Sequence, residues 1–311
     1  MPPAAADQPL LDELDRRMRL LGKLFDLARL EGRGRTPQGI RRYYERSRPG
    51  YRFVHSDEGA MHMALNPGGT FHRDGYEGQA LLVHERLAPG TRDVLELACG
   101  NGYNLALLAR RNPGVGFVGV DLVTSQVKRA VGVLADLPRA DARVGDFQSL
   151  AIADGSQDCV YVVESLCHAT DLARALGEVA RVLRPGGRLV VVDGWRAEGF
   201  HAMPPIVRDA TIAVERAMAV AAGRSLAEWT GVASMCRLHV IEELDLTAQI
   251  MPNLDRLEAI AQRFVSRPLR ARLARAVLSE SLLMNAVAAY LMPLVVRAGA
   301  HTYRLLTLEH R

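Results

Sequence analysis

The stretch from Asp93 to Asp121 constrains this chain more than any other. It reads DVLELACGNGYNLALLARRNPGVGFVGVD. An apolar run ends at Glu96, and a turn follows at Cys99-Gly100-Asn101-Gly102. Leu105, Leu107 and Leu108 are then spaced as on a helix. A second apolar run, Val115 to Val120, ends on Asp121. Strand, glycine turn, helix, strand and acid are the opening of a nucleotide-binding βαβ unit. Asp121 stands 19 residues after Gly102, where a second strand ends beside a bound ribose. A carboxylate there accepts the protons of both ribose hydroxyls.

The turn selects among nucleotides. A dinucleotide fold uses G-x-G-x-x-G, so that a pyrophosphate can lie on bare backbone and a helix N-terminus. Here Glu96 precedes Gly100-x-Gly102, and no third glycine follows. An acid at the end of the first strand repels a pyrophosphate but suits a cationic amino group. S-adenosylmethionine (SAM) carries a ribose, an ammonium and a sulfonium, and no phosphate. The stretch resembles motif I of the class I SAM-dependent methyltransferases, D/E-x-G-x-G-x-G, with Ala98 in place of the first glycine. A Rossmann dehydrogenase or a non-catalytic α/β domain remains the alternative for a motif this short.

Downstream residues extend the resemblance over about residues 80 to 194. Ala142-Arg143-Val144 reads as a third strand leading into Gly145-Asp146-Phe147. Asp158 to Glu164 reads as a fourth strand, and Leu172 to Leu183 as an amphipathic helix broken by Arg184-Pro185-Gly186-Gly187. Arg188 to Asp193 is a fifth strand. The helix–LRPGG–strand order is a hallmark of the same family. The resemblance implies a seven-stranded, mostly parallel α/β sheet with strand seven antiparallel. It implies SAM as cofactor, held by Tyr44, Glu96, Ala98, Gly100, Gly102, Asp121, Leu122, Gln126, Asp146 and Phe147.

The run Glu164-Ser165-Leu166-Cys167-His168-Ala169-Thr170-Asp171 is the second key feature. Ligands bind at the carboxyl ends of strands in such folds, so Glu164 is placed beside the transferred methyl group. The run resembles E-A-T-C-H-A-P-D of sterol C-methyltransferases, and its Glu-Ser pair resembles prenyl diphosphate C-methyltransferases. Ser125 to Ala130 is similar to the Y-Q-V-x-R-A run of the sterol enzymes. Tyr43-Tyr44 and Met61-His62-Met63 occupy places like their Y-Y and S-F-H-F segments. His62 is flanked by methionines rather than aromatics, and Thr170 replaces a proline. The resemblance implies methylation of an alkene carbon in an isoprenoid, a prenyl diphosphate ahead of a sterol or terpenoid lipid. Methylation of an alkene leaves a carbocation, which a carboxylate stabilises and deprotonates. Glu164, His168 and Tyr161 are the catalytic candidates. Tyr161, Trp195 and Phe200 offer cation–π faces, and Arg41, Arg42, His62, Trp195 and Phe200 are candidates to bind substrate. A small-molecule O- or N-methyltransferase, in which Glu164 orients a hydroxyl or amine, is the first rival. A non-catalytic subunit of the same fold is the second.

Residues 33 to 52 hold Arg33, Arg35, Arg41, Arg42, Arg46, Arg48 and Arg52. Such a run suits a diphosphate, which would bring Mg²⁺, or else is a solvated helix face. No set of protein metal ligands is expected. With 5% aromatics and a net charge of +4, nucleic-acid binding is not expected. Four scattered cysteines without C-x-x-C point to reduced thiols and a cytoplasmic setting. No apolar run reaches the roughly 20 residues that span a bilayer. The expected organisation is a helical cap over 1–90, a SAM-binding core over 91–194, a helical lid over 195–237, and strands six and seven over 238–311. Helices over 253–298 form an inserted lid between those strands. Helices are expected over 10–32, 36–47 and 203–222, strand six over His239 to Thr247 with Pro252 ending its exit, and strand seven over Thr302 to Leu308. The apolar helices close a pocket against water, or serve a homo-oligomer interface or a membrane surface.

Overall fold

The computed structural model describes residues 7–25, 36, 39, 41, 56, 59–220, 222–266 and 280–311. Among them, seven strands form one sheet in the order β3-β2-β1-β4-β5-β7-β6. The strands are β1 (Asp93–Leu97), β2 (Gly116–Asp121), β3 (Ala140–Val144), β4 (Gln157–Val163), β5 (Leu183–Arg196), β6 (Leu238–Asp245) and β7 (His301–His310). β7 runs antiparallel to β5 and β6, and the β1–β2, β1–β4, β2–β3 and β4–β5 pairs are parallel. This is the class I methyltransferase fold, antiparallel strand seven included. The strand order reverses between β1 and β4, and the crevice beyond their carboxyl ends is where such sheets bind ligands.

The described helices are α1 (Gln8–Leu24), α2 (Gly78–Glu85), α3 (Tyr103–Arg111), α4 (Thr124–Val133), α5 (Leu172–Val182), α6 (Pro205–Ala217), α7 (Leu226–Met235), α8 (Thr247–Val265) and α9 (Glu280–Arg297). The central strands read as continuous apolar runs because both sheet faces are covered. On one face Leu105, Leu108, Val127 and Leu254 pack on Val94, Phe117, Tyr161 and Val192. On the other, Leu176, Val179 and Trp229 pack on Leu95, Val162 and Val191. A third cluster joins α1, α6 and α9 through Leu14, Leu21, Val214, Val287 and Leu291. Each such leucine contributes about 1.5–3 kcal/mol by leaving water. Arg17 ties this layer together from within: it donates to Glu258 at 2.5 Å and to the Tyr290 carbonyl at 2.6 Å.

Three local expectations differ from the structure, the first being that the helix expected over 10–32 ends at Leu24, with Phe25 extended. Pro252 does not close the exit from strand six but lies inside α8. Ile250, Leu254, Leu257, Ala261 and Val265 are all buried along one stripe of that helix. This burial outweighs the one backbone hydrogen bond that proline removes. The Arg184–Gly187 segment is an irregularity within β5, not a break before it. Leu183 already pairs with Gln157, and the register shifts before Cys159↔Arg188. Residues 36–47, expected as a helix, lie almost wholly outside the described residues, as do 267–279 of the expected inserted lid.

Candidate functional site

The loop after β1 is built around three left-handed residues, Ala98 (φ 53°), Gly100 (φ 54°) and Gly102 (φ 83°). Glycine adopts this region without strain, whereas Ala98 holds it at a cost. At Gly102 a side chain would meet Ala130 at 3.0 Å, so the glycine lets α3 start close against α4. Gly102 therefore shapes the loop from behind, and does not line the cavity in front of it. Asp121 anchors the same loop: Gly100 N donates to its Oδ2 at 2.9 Å and Val123 N to its Oδ1 at 2.7 Å.

In front of this loop lies a cavity. Its walls bring together Glu96, Ala98, Gly100, Asp121, Leu122, Gln126, Asp146 and Phe147, residues from the ends of β1, β2 and β3 and from the start of α4. Tyr44 lies outside the described residues. Glu96 is buried, and desolvation pushes its carboxyl up to about 8 against the opposing pull of Tyr161 and Asn104. Its Oε2 has no hydrogen-bond partner, nor has Oε1 of Gln126. Two orphaned buried acceptors in one cavity fit an ammonium, and Asp121 at the end of β2 fits a ribose. These residues fit SAM.

A second cavity adjoins the first. Met61, Glu164 and His168 line both, so Glu164 stands at their junction. It sits at φ 47° just past β4, where its N–H continues the ladder to the Val192 carbonyl at 2.8 Å. Such a conformation costs a non-glycine residue roughly 1–3 kcal/mol. It turns the half-buried side chain into the cavity walls. Oε1 accepts from Met63 N at 2.8 Å and from the Tyr303 hydroxyl at 2.7 Å; Oε2 takes part in neither bond. Enclosure pushes the Glu164 carboxyl up to about 7, with the two hydrogen bonds opposing. Asp193, at the neighbouring register of β5, is likewise pushed up to about 7 by burial. Trp195 lines this cavity edge-to-face with Trp229, their rings 5.9 Å apart. His168 is buried, its Nδ1 3.0 Å from the Ala219 carbonyl, and desolvation lowers its pKa.

Four candidates are placed otherwise than their sequence neighbourhood implies. Tyr161 is fully buried in the core and lines neither cavity, because strand alternation turns it toward Glu96, its register partner on β1. Phe200 is buried in the helical layer under the Arg196 guanidinium, 4.3 Å from its ring centre, and does not line the second cavity. His62 lines the first cavity, with its ring nitrogens 3.1 Å from the Met63 carbonyl and from Asn104 Oδ1. Burial lowers its pKa against those two hydrogen bonds. Arg41 donates to the carbonyl of Leu122, a residue of the first cavity's wall, at 3.0 Å. Arg42 lies outside the described residues. Among the described residues no three His, Cys, Asp or Glu side chains are grouped as a metal site. No described helix is long and apolar enough to cross a membrane.

Sequence reasoning missed Tyr303, Asn104 and the acids and bases of the second cavity's far end. Tyr303 lies 139 residues from Glu164, so no local spacing announces the contact. Asp193 was within reach of the rule that located Glu164, since it too ends a strand.

The raised acids set a pH dependence of stability. Glu96, Glu164 and Asp193 hold protons more tightly folded than unfolded, so their stabilisation is lost as pH rises from about 4.5 toward 7 and 8. The lowered histidines His62 and His168 act oppositely, but only below their ordinary 6.5. The melting temperature of ligand-free protein is therefore expected to fall between pH 6.5 and 8. A rise over that window in a thermal scan would contradict these environments.

Residues 95–191 match the model of a methyltransferase domain family. The 24-methylenesterol C-methyltransferase 2 of Oryza sativa subsp. japonica is 32% identical over 200 residues, 60% of this chain and 52% of that protein. Matches to the first curated relatives span between 30% and 52% of those relatives' own length. Among solved structures, the [4+2]-cyclase SpnF superposes with a TM-score of 0.68 at 21% identity, covering 88% of this chain and 96% of that one. A geranyl diphosphate methyltransferase in complex with GPP and sinefungin gives 0.67 at 20% identity, covering 88% and 98%.

Proposed function

We propose, from the premise that residues 95–191 form a methyltransferase domain on the class I fold, that this chain is a SAM-dependent C-methyltransferase. Its acceptor is an alkene of an apolar, isoprenoid-like molecule held in the second cavity. SAM, when bound, supplies an electrophilic methyl group. Glu96 takes its ammonium, Asp121 its ribose, and Asp146 and Phe147 border its adenine.

The observation that carries the reading is Glu164, a half-buried carboxylate shared by the two cavities. A positive charge developing on the acceptor beside it is stabilised by its negative charge in a dry site. The same carboxylate then takes the proton that restores the double bond. A pKa of about 7 suits a general base at neutral pH. Met63 N and Tyr303 fix Oε1, which leaves the proton to go to Oε2. Trp195 and Trp229 add aromatic faces to the same cavity.

Among the described residues, charge favours an uncharged acceptor over the diphosphate that the arginine-rich segment suggests. Glu164, Asp193 and Glu215 face Arg196 and Arg224 in the second cavity, and Arg196 is already paired with Glu215. A diphosphate would add further negative charge there, and Arg41 is directed elsewhere. A sterol- or terpenoid-like molecule adds none.

Ligand-induced thermal shifts test the cofactor half of the proposal. SAM and S-adenosylhomocysteine (SAH) are expected to raise the melting temperature by mass action, and NADH is not. A shift with NADH and none with SAM would reject the reading.

A further inference from the structure

The second cavity is apolar along most of its wall, through Trp195, Val214, Met218, Ile250, Met292 and Val296. At one end it holds a cluster that the methyl-transfer chemistry does not use. Arg196 donates Nε to Glu215 Oε1 at 2.7 Å and Nη2 to Oε2 at 2.5 Å. His301 Nε2 lies 3.0 Å from the same Glu215 Oε1. Arg224 borders the cavity beside them. The backbone is pressed onto the pair at Gly223, where a Cβ would come within 2.2 Å of Glu215 Oε1 and 2.3 Å of Arg196 Nε.

The Arg196–Glu215 pair is already charge-balanced and bidentate, so it has no electrostatic need of His301. Burial raises the Glu215 carboxyl, but His301 and Arg196 outweigh it and leave it below its ordinary range. With both oxygens accepting from the Arg196 fork, Glu215 is a carboxylate that only accepts, and the hydrogen between it and His301 sits on Nε2. In the neutral ring that leaves Nδ1 as an acceptor, and among the described residues it has no hydrogen-bond partner. An oxygen arriving here meets an acceptor in Nδ1 and guanidinium donors in Arg196 and Arg224. A hydroxyl group uses both kinds; an ether or a hydrocarbon does not.

Position fixes where that hydroxyl lies on the acceptor. His301 and Arg196 are register partners on β7 and β5. Arg196 stands three residues beyond Asp193, which neighbours Glu164, so the cluster lies on the order of 10 Å along the strand from the reacting end. We infer that Glu215 and His301, with Arg196 and Arg224, form a hydroxyl-recognition site that anchors an apolar alcohol about 10 Å from Glu164. The inference rests on the second cavity being the acceptor cavity of the proposed methyltransferase.

The test is equilibrium binding to the full chain loaded with SAH, using farnesol, farnesyl methyl ether and farnesyl diphosphate as probes. Wild type is expected to bind the alcohol at least about tenfold tighter than the ether, about 1.4 kcal/mol. His301→Phe should bring the two within about twofold while SAH affinity stays unchanged. Glu215→Gln should do the same by freeing the tautomer; if it fails to fold, His301→Gln reports instead. Equal binding of alcohol and ether by wild type would overturn the site, as would failure of all three probes to bind. So would a preference that survives His301→Phe but disappears in Glu164→Gln. Tightest binding by the diphosphate would overturn it in favour of an anion site. Because no turnover is read, the outcome is separate from whether methyl transfer occurs: hydroxyl-dependent binding without transfer rejects only the proposed reaction, and transfer with no hydroxyl preference rejects only this site.

Discussion

Glu164→Gln is expected to lower methyl transfer by at least roughly 10²-fold, the scale of a lost general base, with little change in SAM affinity. Glutamine keeps the side chain's shape and can still accept from Met63 N and Tyr303 through one oxygen. It removes the negative charge and the proton acceptor together. The cation on the acceptor then persists longer, so residual product should include isomers with a displaced double bond or an added water. Steady-state rates with product analysis by mass spectrometry measure both effects. The acid limb of the wild-type rate profile should rise through about pH 7, where the Glu164 carboxyl ionises, and Glu164→Gln should lack that limb. Near-normal turnover with unchanged product would make Glu164 a structural residue.

Asp121→Ala is expected to weaken SAM binding by at least about 10²-fold, since two hydrogen bonds to a charged group are worth about 1.5–3 kcal/mol each. The substitution also leaves Gly100 N and Val123 N without the acceptor that ties them together. Asp121→Asn separates the two effects: it retains one oxygen for the loop but loses the second acceptor, and should bind SAM with intermediate affinity. Titration calorimetry gives the affinities. Wild-type affinity in Asp121→Ala would move the cofactor away from β2.

The core of the fold was legible because its signals are local. Strand, turn, helix and strand from Asp93 to Asp121 each carry their own periodicity or glycine, and a βαβ unit follows from them. Burial on both faces leaves β4 and β5 as continuous apolar runs, so they too are visible. The first cavity was legible for the same reason: its residues end consecutive strands, and the fold collects strand ends at one edge. The second cavity was not. Trp195, Arg196, Glu215, His301 and Tyr303 come from β5, α6 and β7, and only the antiparallel return of β7 brings His301 and Tyr303 to the edge where Glu164 stands. Tyr161 and Phe200 show the converse. Both are aromatic and close in sequence to the site, but one residue of strand alternation or one turn of chain sends them into the core. Pro252 misled because the stripe from Ile250 to Val265 tolerates it.

The most direct measurement supplies SAM bearing a CD3 methyl group to the protein with an unsaturated terpenoid alcohol, and locates the label by mass spectrometry and NMR. The account expects an intact CD3 group on a former alkene carbon, with the double bond restored by proton loss. Label on oxygen or nitrogen, or an acceptor converted without taking up label, would contradict it.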